Sequence, residues 1–366
     1  MNNKIAGQWV GGLAGENFGP LIINIDQNRP DSISIMFNDQ APERVSIVAR
    51  SFITPSPYGG HEGNLCFFKY YNPKTRQQIP YSNTPHYPTG GSIKFSILDD
   101  NSLSGSWSTN VQTTGTFQAN QQASVLPSKV KEVINWEEFK IKISKFVGHR
   151  GLIYFRGHES SEYALNNVFH RMKCWDLDRY FDDLKDGFFE NLGRFNNDRY
   201  RFHDSTDFGA GMLLAQHHGY PTPLMDWTLS PYIAAYFAFR NFKRKVTNPT
   251  SVRVFCFHQR EWMIKNSDMA NSNLISPWPV IRPLNLSLGK NQRAISQDAV
   301  SLFSNVENIE EEVNQRGNYL EYFDINFNDQ LIALKELESM GIYEERLFPD
   351  LDTVCKVHKK EYFGVE

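Results

Sequence analysis

The sequence has little cysteine and no long hydrophobic run. Its four cysteines show neither a C-x-x-C pair nor a spacing typical of zinc sites, and we expect reduced, mostly buried thiols at all of them: Cys66, Cys174, Cys256 and Cys355. The longest apolar runs, such as residues 232–239, fall far short of the roughly 18 residues that a membrane span requires. Residues 1–4 lead into a strand-like stretch instead of a secretory signal. We therefore expect a cytoplasmic location and no membrane partner.

An excess of basic charge is also missing. The chain carries 38 Lys and Arg against 41 Asp and Glu, and residues 1–127 hold eight of each sign, so nucleic-acid binding is not indicated. The sequence contains no P-loop, G-x-G-x-x-G, G-x-S-x-G or H-E-x-x-H motif. Walker NTPases, Rossmann dehydrogenases, α/β-hydrolases and zincins are thereby excluded, and we expect no metal. At 40% hydrophobic, the 366 residues are enough for two globular domains.

Residues 1–124 alternate apolar and polar side chains in short runs that Gly, Pro, Asn and Asp separate. The runs are 21–25, 32–37, 45–52, 65–71, 93–98, 103–107 and 115–117. This pattern predicts an antiparallel β-barrel of about eight strands, with a sandwich as the alternative. Gly7-Gln8-Trp9 and Gly105-Ser106-Trp107 resemble the G-x-W strands of small avidin-like and lipocalin-like barrels, in which tryptophan plugs one end. Whether the interior holds a ligand stays open.

The pattern changes after a polar segment at 118–129, which contains Pro127 and reads as a linker. Asn135 followed by Glu138 predicts the start of a helix that continues to about Phe146. A second helix is predicted from apolar residues that step by three or four: Leu177, Phe181, Leu184, Phe188 and Leu192. Residues 130–366 are therefore predicted to form an α+β domain.

Three stretches of this second half resemble the FRG domain, a bacterial family named for its (F/Y)-R-G motif. Residues 153–158 read I-Y-F-R-G-H. Residues 213–231 read L-L-A-Q-H-H-G-Y-P-T-P-L-M-D-W-T-L-S-P, close to the family's Q-H-x-G-x-P-T-x-L-x-D-W-T-x-S-P block. The third stretch is G-I at 341–342, followed by L-F-P-D-L at 347–351. The resemblance runs from about residue 130 to 360 and implies an FRG domain over 130–366.

One segment departs from the family pattern. An R-I-x-x-Q-x-G-x-F segment is expected between the second and third stretches, but residues 293–303 read R-A-I-S-Q-D-A-V-S-L-F. Gln297 and an aromatic residue are kept, whereas Ala299 stands near the expected glycine and the segment is one or two residues longer. The place of Gln297 in a site is therefore less well defined than that of Arg156.

The order of these parts also resembles the core of the ADP-ribosyltransferases. There an arginine holds the phosphate or ribose of NAD, hydroxyls on a second strand support the nicotinamide pocket, and a later glutamate polarises the ribose. By this resemblance Arg156 takes the first position, Thr228 and Ser230 the second and Gln297 the third. The implied catalytic residues are Arg156, Asp226 and Gln297. The implied NAD-binding residues are Arg156, Gly157, His218, Trp227, Thr228 and Ser230.

Elementary chemistry gives these residues separate tasks. A guanidinium fork offers a diphosphate several donors in one plane, which lysine cannot do, and Gly157 lacks a Cβ that would block a ligand. Gln297 can orient a ribose hydroxyl but cannot stabilise a developing positive charge, so Asp226 is the candidate for the carboxylate. We expect Arg156 and Gln297 to lie on one pocket wall within about 10 Å of each other.

Structural alternatives stay open for the same residues. Ser230 before Pro231 is a typical helix N-cap, and Asp226 can form an internal ion pair with Arg156. His217 is expected as a helix cap or core partner and His218 as the residue that faces the site, because adjacent helical positions point to different faces.

Together these features predict an N-terminal β-barrel followed by an ADP-ribosyltransferase-like α+β FRG domain. The resemblance implies an effector, such as a toxin, in bacterial conflict or phage defence, with the barrel as sensor or oligomerisation module. Its implied substrate is NAD, a nucleotide, and its implied partner is an unidentified macromolecular acceptor or a second copy of the chain. The alternative is a non-catalytic nucleotide- or protein-binding module whose motif residues are structural.

Overall fold

A computed structural model of the chain describes residues 5–41, 44–82, 87–99, 101–122, 126–146, 148–196, 200–201, 205–240, 250–284 and 292–364. The N-terminal strands are β1 (Gly7–Gly15), β2 (Gly19–Ile25), β3 (Ser32–Phe37), β4 (Ser46–Pro55), β5 (His61–Tyr71), β6 (Gln78–Ile79), β7 (Gly91–Asp99), β8 (Ser102–Thr109) and β9 (Thr114–Gln121). The later strands are β10 (Val133–Ile134), β11 (Tyr154–His158), β12 (Leu224–Thr228), β13 (Ser251–Phe257), β14 (Ile281–Leu284), β15 (Ala299–Ser304) and β16 (Leu320–Asn326).

The helices found in the described residues all belong to the second half of the chain. They are α1 (Trp136–Ser144), α2 (Val168–Arg171), α3 (Leu177–Asp183), α4 (Phe189–Asn196), α5 (Ser205–His217), α6 (Pro231–Phe239), α7 (Gln259–Lys265), α8 (Ser267–Asn271), α9 (Gln292–Ser296), α10 (Ile309–Arg316), α11 (Gln330–Ser339), α12 (Glu344–Leu347) and α13 (Leu351–Phe363). In the part of the chain that the structure describes, no helix has both the length and the apolar character to cross a membrane.

The N-terminal strands form a closed antiparallel barrel. Its strand order is β4-β3-β2-β1-β9-β8-β7-β5, and pairing between β4 and β5 closes the ring, while the short β6 extends β5 outside it. The predicted eight-stranded barrel is confirmed, and the sandwich alternative is excluded. Closure leaves no unpaired edge among these eight strands, which is how a small antiparallel sheet avoids edge-to-edge association.

The two G-x-W strands place their tryptophans at opposite ends of this barrel. Trp9 pairs with Gln121 near one end, whereas Trp107 pairs with Gly115 near the other. Trp9 is fully buried in the barrel core, and its Nε1 donates to the carbonyl of Ile5 at 2.9 Å. Trp9 therefore plugs its end as the resemblance implied, and Trp107 does not share that role.

The second half is built on a mixed sheet of seven strands. The order is β10-β16-β13-β11-β12-β15-β14, and all neighbours are antiparallel except β10 and β16. Helices α1 and α6 pack on one face through residues such as Trp136, Phe139 and Ala234, and aromatic clusters around Trp262 and Phe169 cover the other face. The predicted α+β class is confirmed.

The predicted helices are present, with one irregularity. Asn135 and Glu138 form a complete capping box at the start of α1. The second predicted helix is α3 and α4 joined by a π-helical turn at Leu184–Phe188. A π-helical turn contains one residue more than an α-helical turn, so the buried face of α4 is rotated relative to that of α3. As a result Phe189 is buried while Phe188 is half-buried.

The two halves of the chain share a buried joint. The carboxylate of Asp178 is fully buried and pairs with Arg50 and Lys69 of the barrel, each at 2.5 Å. Nearby, Tyr71 of the barrel meets Trp278 edge to face, in a cluster that includes other apolar side chains of both halves. Separating the halves would expose this charge network and apolar surface. Independent folding of 1–124 and 130–366 stays a prediction.

Two sequence expectations need correction. The linker predicted at 118–129 starts too early, because β9 continues to Gln121 in register with β1, and residues 123–125 lie outside the described residues. The cysteines are all free, but only Cys256 is buried, so the expectation of mostly buried thiols was wrong. The other three are half-buried or exposed.

Candidate functional site

The candidate site lies in a fork between two strands of the second sheet. β11 pairs with β13 along its whole length but with β12 only through Phe155 and Thr228. Beyond this pair the two strands separate, and Nη1 of Arg156 bridges the gap by donating to the main-chain carbonyl of Asp226. An open cavity of about 870 Å³ lies at the fork.

Arg156 is held at the base of this cavity by His158. The Nε of Arg156 donates to Nε2 of His158 at 3.1 Å, and Nδ1 of His158 lies 3.2 Å from the carbonyl of Tyr163. Burial, together with the charge of Arg156, lowers the pKa of His158 to about 3. The ring is therefore neutral, with its proton on Nδ1, and is a fixed acceptor for the guanidinium.

The Arg156 guanidinium remains charged although it is desolvated. Burial lowers its pKa to about 10, Asp226 opposes this effect, and Arg171 adds to it. Within the described residues, Arg156 forms no ion pair closer than 4 Å, and its Nη2 makes no hydrogen bond. This nitrogen of the half-buried Arg156 can therefore bind an anion in the cavity.

A chain of polar side chains orients the carboxylate of Asp226. Thr222 donates from its hydroxyl to Oε1 of Gln216, and Nε2 of Gln216 donates to Oδ1 of Asp226 at 2.5 Å. Gln216 lies in the last turn of α5, Thr222 is fully buried in the following loop, and Asp226 is on β12. The Gln, Thr and Asp of the second sequence stretch thus form one hydrogen-bonded unit.

Gln297 lies on the opposite side of β12, in the turn between α9 and β15. Its main-chain carbonyl accepts from Oγ1 of Thr228 at 2.8 Å, and its side-chain Nε2 donates to the carbonyl of Leu347 at 3.0 Å. The ADP-ribosyltransferase resemblance places this residue on a strand, but the strand begins two residues later, at Ala299. Its amide nitrogen is already used to hold the third sequence stretch.

Two further arginines stack on Phe348 of that third stretch. The guanidinium carbons of Arg293 and Arg240 lie 4.5 Å and 5.0 Å from the ring centroid. Burial and the neighbouring Arg240 lower the pKa of Arg293, whose buried Nε has no hydrogen-bond partner in the described part of the chain. Both arginines line the cavity. The Phe348 ring of the L-F-P-D-L stretch therefore positions Arg293 and Arg240 in the cavity by cation–π contacts.

Residues 151–246 match the family model of the FRG domain. The chain contains an FRG domain. The match spans β11, β12 and α6, while Gln297 and Phe348 lie beyond its C-terminal limit. No curated protein and no solved structure matches the chain.

Six of the residues predicted from sequence line the cavity of the FRG domain. They are Arg156, Gly157, Asp226, Trp227, Thr228 and Gln297. Three segments far apart in sequence therefore line one cavity, and a separation of Arg156 and Gln297 within about 10 Å stays a prediction. The catalytic and NAD-binding roles of these residues remain predictions.

The ion pair considered between Arg156 and Asp226 is not formed. Arg156 binds the main-chain carbonyl of Asp226, while Gln216 binds the carboxylate. The carboxylate nevertheless stays close enough to favour the charged form of Arg156. The two side chains are thus left with free capacity on the cavity side.

Helix packing, and not only ligand access, requires a glycine at position 157. A Cβ at this position would lie 1.9 Å from the carbonyl oxygen of Ala234 in α6. The glycine therefore lets α6 pack directly on β11, and that packing places the helix beside the cavity.

Two other predicted NAD-binding residues are absent from the cavity lining. Ser230 caps α6, with its Oγ accepting from the Ile233 N–H at 3.3 Å, so the capping interpretation is confirmed. His218 is exposed after the end of α5. The half-buried His217 is nearer the site, since Arg293 and Asp226 both influence its pKa, which burial lowers.

Sequence reasoning missed several charged residues of the FRG domain cavity. Among the described residues, the lining contains five cationic side chains, Arg156, Arg171, Lys173, Arg240 and Arg293, and four carboxylates, Glu159, Glu162, Asp226 and Glu307. Arg293 is the arginine of the expected R-I-x-x-Q segment, so its signal was available. Arg171 and Lys173 lie in a short segment without a motif, so nothing in the sequence indicated that they line the cavity. Within the described ranges, no group of three or more His, Cys, Asp or Glu side chains is placed to hold a metal.

Proposed function

We propose that the cavity of the FRG domain binds NAD and that the protein is an ADP-ribosyltransferase-like enzyme. The observation that carries the proposal is the state of Arg156. It lines the cavity, its Nη2 is unbonded and it has no ion-pair partner in the described residues, while burial and the charge of Arg171 lower its pKa. A diphosphate would supply the missing negative charge and would relieve the repulsion between the two arginines.

The remaining lining fits the other parts of a dinucleotide. Trp227 is buried, and its indole Nε1 has no acceptor among the described residues, so a carboxamide or ribose oxygen could take this hydrogen. Tyr163 and Phe237 offer aromatic surface for a base or nicotinamide ring. The cavity volume of about 870 Å³ is at the upper end of the range for small-molecule sites.

The proposed reaction transfers ADP-ribose to a nucleophile. The bond between the nicotinamide nitrogen and ribose C1′ breaks with its electron pair leaving on nicotinamide, the nucleophile bonds to C1′, and its proton is released. Positive charge develops at the ribose, and Asp226, held by Gln216, is the candidate carboxylate to stabilise it. Gln297 has a positioning role in this proposal. Its side-chain nitrogen donates to the Leu347 carbonyl, and its main-chain carbonyl accepts from Thr228.

Release of nicotinamide from NAD tests the enzymatic proposal. We expect the wild-type protein to release it, and Asp226→Asn to reduce the rate at least tenfold without a change in melting temperature, since only a charge is removed. Asp352→Asn, on an exposed position of α13 outside the cavity lining, is the matched control and should match the wild type. Equal rates for all three proteins would exclude Asp226 from the reaction.

A non-catalytic nucleotide-binding module is the second candidate. It is favoured by the engagement of Thr228 and Gln297 in structural hydrogen bonds. In that case NAD should raise the melting temperature without release of nicotinamide.

The biological role that we propose is that of an effector in bacterial conflict or phage defence, as the family resemblance implies. We expect expression of the wild-type protein, but not of Arg156→Lys, to reduce phage plaque formation. Equal plaque counts with both proteins would argue against this role.

A further inference from the structure

The barrel is open at the end that carries Trp107. Around Trp9 the inward-facing residues are fully buried, as at Ile23 and Ile25. Around Trp107 two inward-facing residues, Leu13 and Leu65, are only half-buried. An apolar cavity of about 90 Å³ occupies this end of the interior. Apolar surface inside the barrel is therefore accessible through its open end.

Trp107 lines this cavity and carries a hydrogen-bond donor without a partner in the described residues. Its Nε1 is buried and has no acceptor within the residues that the structure describes. The indole edge lies over Gly115, where an added Cβ would be 3.0 Å from Nε1. Polar side chains at this end already bond one another, as Thr109 does with Thr113 at 2.7 Å and Asn17 with Asp39. The indole N–H is thus left for a ligand.

We propose that the barrel cavity binds a small apolar molecule with one acceptor oxygen, such as a short-chain ketone or ester, which accepts from Trp107. An apolar cavity of about 150 Å³ is known to admit benzene. The smaller cavity here therefore suits a short aliphatic chain, whose end extends through the mouth near Arg44. Apolar walls supply the binding energy, and the single donor selects for the acceptor.

The test is titration of the full-length protein with 2-hexanone, followed by the indole N–H resonances in NMR spectra. Trp107→Phe identifies the resonance of Trp107. We expect this resonance alone to move downfield and to saturate. Ala49→Leu fills the cavity and should abolish the shift, whereas Ala14→Leu, on the outer surface of the barrel, should leave it unchanged.

Two results would overturn this proposal. One is a Trp107 resonance that does not move with 2-hexanone, and the other is a shift that persists in Ala49→Leu. If Ala49→Leu does not fold, competition with n-hexane replaces it. Displacement of 2-hexanone by the hydrocarbon supports an apolar cavity site, and failure to displace it overturns the site.

An independent observation links the barrel to the cavity of the FRG domain. Asp26 follows β2, and its Oδ1 accepts from the main-chain N–H groups of Trp175 at 2.5 Å and Asp176 at 2.9 Å. The adjacent N–H of Gln27 donates to the carbonyl of Lys173 at 3.0 Å. Three hydrogen bonds from two barrel residues thus hold one short segment of the FRG domain.

That segment forms a wall of the cavity. Arg171 and Lys173 line it directly, and Nε1 of Trp175 donates at 2.6 Å to Glu307, another lining residue. We infer that Asp26 is a positioning residue, through which the barrel fixes the cations that face the proposed nucleotide. This inference rests on the proposed function in one respect, that NAD is the ligand of the cavity.

Two variants of Asp26 in the full-length chain test the inference. Asp26→Ala removes the acceptor, and we expect the amides of residues 171–176 to exchange hydrogen at least tenfold faster and NAD to bind at least fivefold more weakly. Asp26→Asn keeps Oδ1 and should restore both values. Asp31→Ala, on an exposed barrel position, is the control.

The readouts separate the possible failures. Faster exchange throughout the chain, including β13, would mean that Asp26 only stabilises the fold, and unchanged exchange at 171–176 would equally overturn the inference. Local exchange that increases in a protein that binds no NAD would support the positioning role and contradict the proposed function.

Discussion

Asp176 offers a sharp test of the electrostatics at the joint between barrel and FRG domain. It caps α3, with Oδ1 accepting from the Arg179 N–H at 3.1 Å, while its buried Oδ2 has no hydrogen-bond partner in the described residues. The residue is 1% exposed. Burial raises its pKa to about 7, the carboxylates of Asp26 and Asp178 add to the rise, and the capping hydrogen bond and Arg50 oppose it.

The rise in pKa fixes both the sign and the size of a pH effect on stability. The pKa of an unfolded aspartate is about 3.9, so the folded state holds the proton more tightly over about three units. The stabilising contribution is complete below about pH 4 and is lost as the pH rises through about 7. At 1.36 kcal/mol per unit, the loss is about 4 kcal/mol at most.

Asp176→Asn should remove this loss. The amide keeps the capping Oδ1 and cannot ionise, so we expect similar stability for both proteins at pH 4.5 and a more stable variant at pH 8, by about 2 to 4 kcal/mol. Urea unfolding between pH 4.5 and pH 8 measures the difference. Asp182→Asn, at the same joint but 45% exposed, is the control. If the variant loses stability above pH 5 as steeply as the wild type, ionisation of Asp176 is not the cause of the loss.

Three further substitutions test separate contacts. Gly157→Ala would force a Cβ to within 1.9 Å of the Ala234 carbonyl, and we expect a loss of at least about 2 kcal/mol in urea unfolding; an unchanged midpoint would contradict the packing. His170 is fully buried with neither ring nitrogen bonded in the described structure, so His170→Phe should stabilise by about 1 kcal/mol, and destabilisation would reveal a hidden partner. His158→Phe removes the acceptor for Arg156 and should weaken NAD binding about tenfold in calorimetry, and undiminished affinity would exclude this positioning role.

Much of the barrel could be predicted because patterns within short stretches of sequence determine its strands. Alternation of apolar and polar residues at hairpin spacing specifies antiparallel strands, and the capping box at Asn135 specifies a helix start. The roles of Trp9 and Trp107 could not be separated, because they depend on the register between β1, β9 and β8. The π turn before Phe189 was also missed, since a regular period of 3.6 residues does not anticipate an inserted residue.

The site was predicted from motifs and completed by tertiary contacts. Arg156 and Asp226 carry recognisable patterns, but the pairing of Gln216 with Asp226 depends on a loop that returns the end of α5 to β12. The contribution of Lys173 depends on contacts with the barrel, which no local pattern encodes.

Calorimetric titration with NAD measures directly whether Arg156 binds this nucleotide. We compare the wild type with Arg156→Lys and with Arg150→Lys, whose side chain is 71% exposed, pairs with Asp298 and lies outside the cavity lining. We expect the wild type and Arg150→Lys to bind NAD equally. Arg156→Lys should melt at the same temperature and bind at least tenfold more weakly, because lysine cannot reproduce the guanidinium fork. Absence of NAD binding by the wild type, or equal binding by Arg156→Lys, would show that Arg156 does not bind NAD in this cavity.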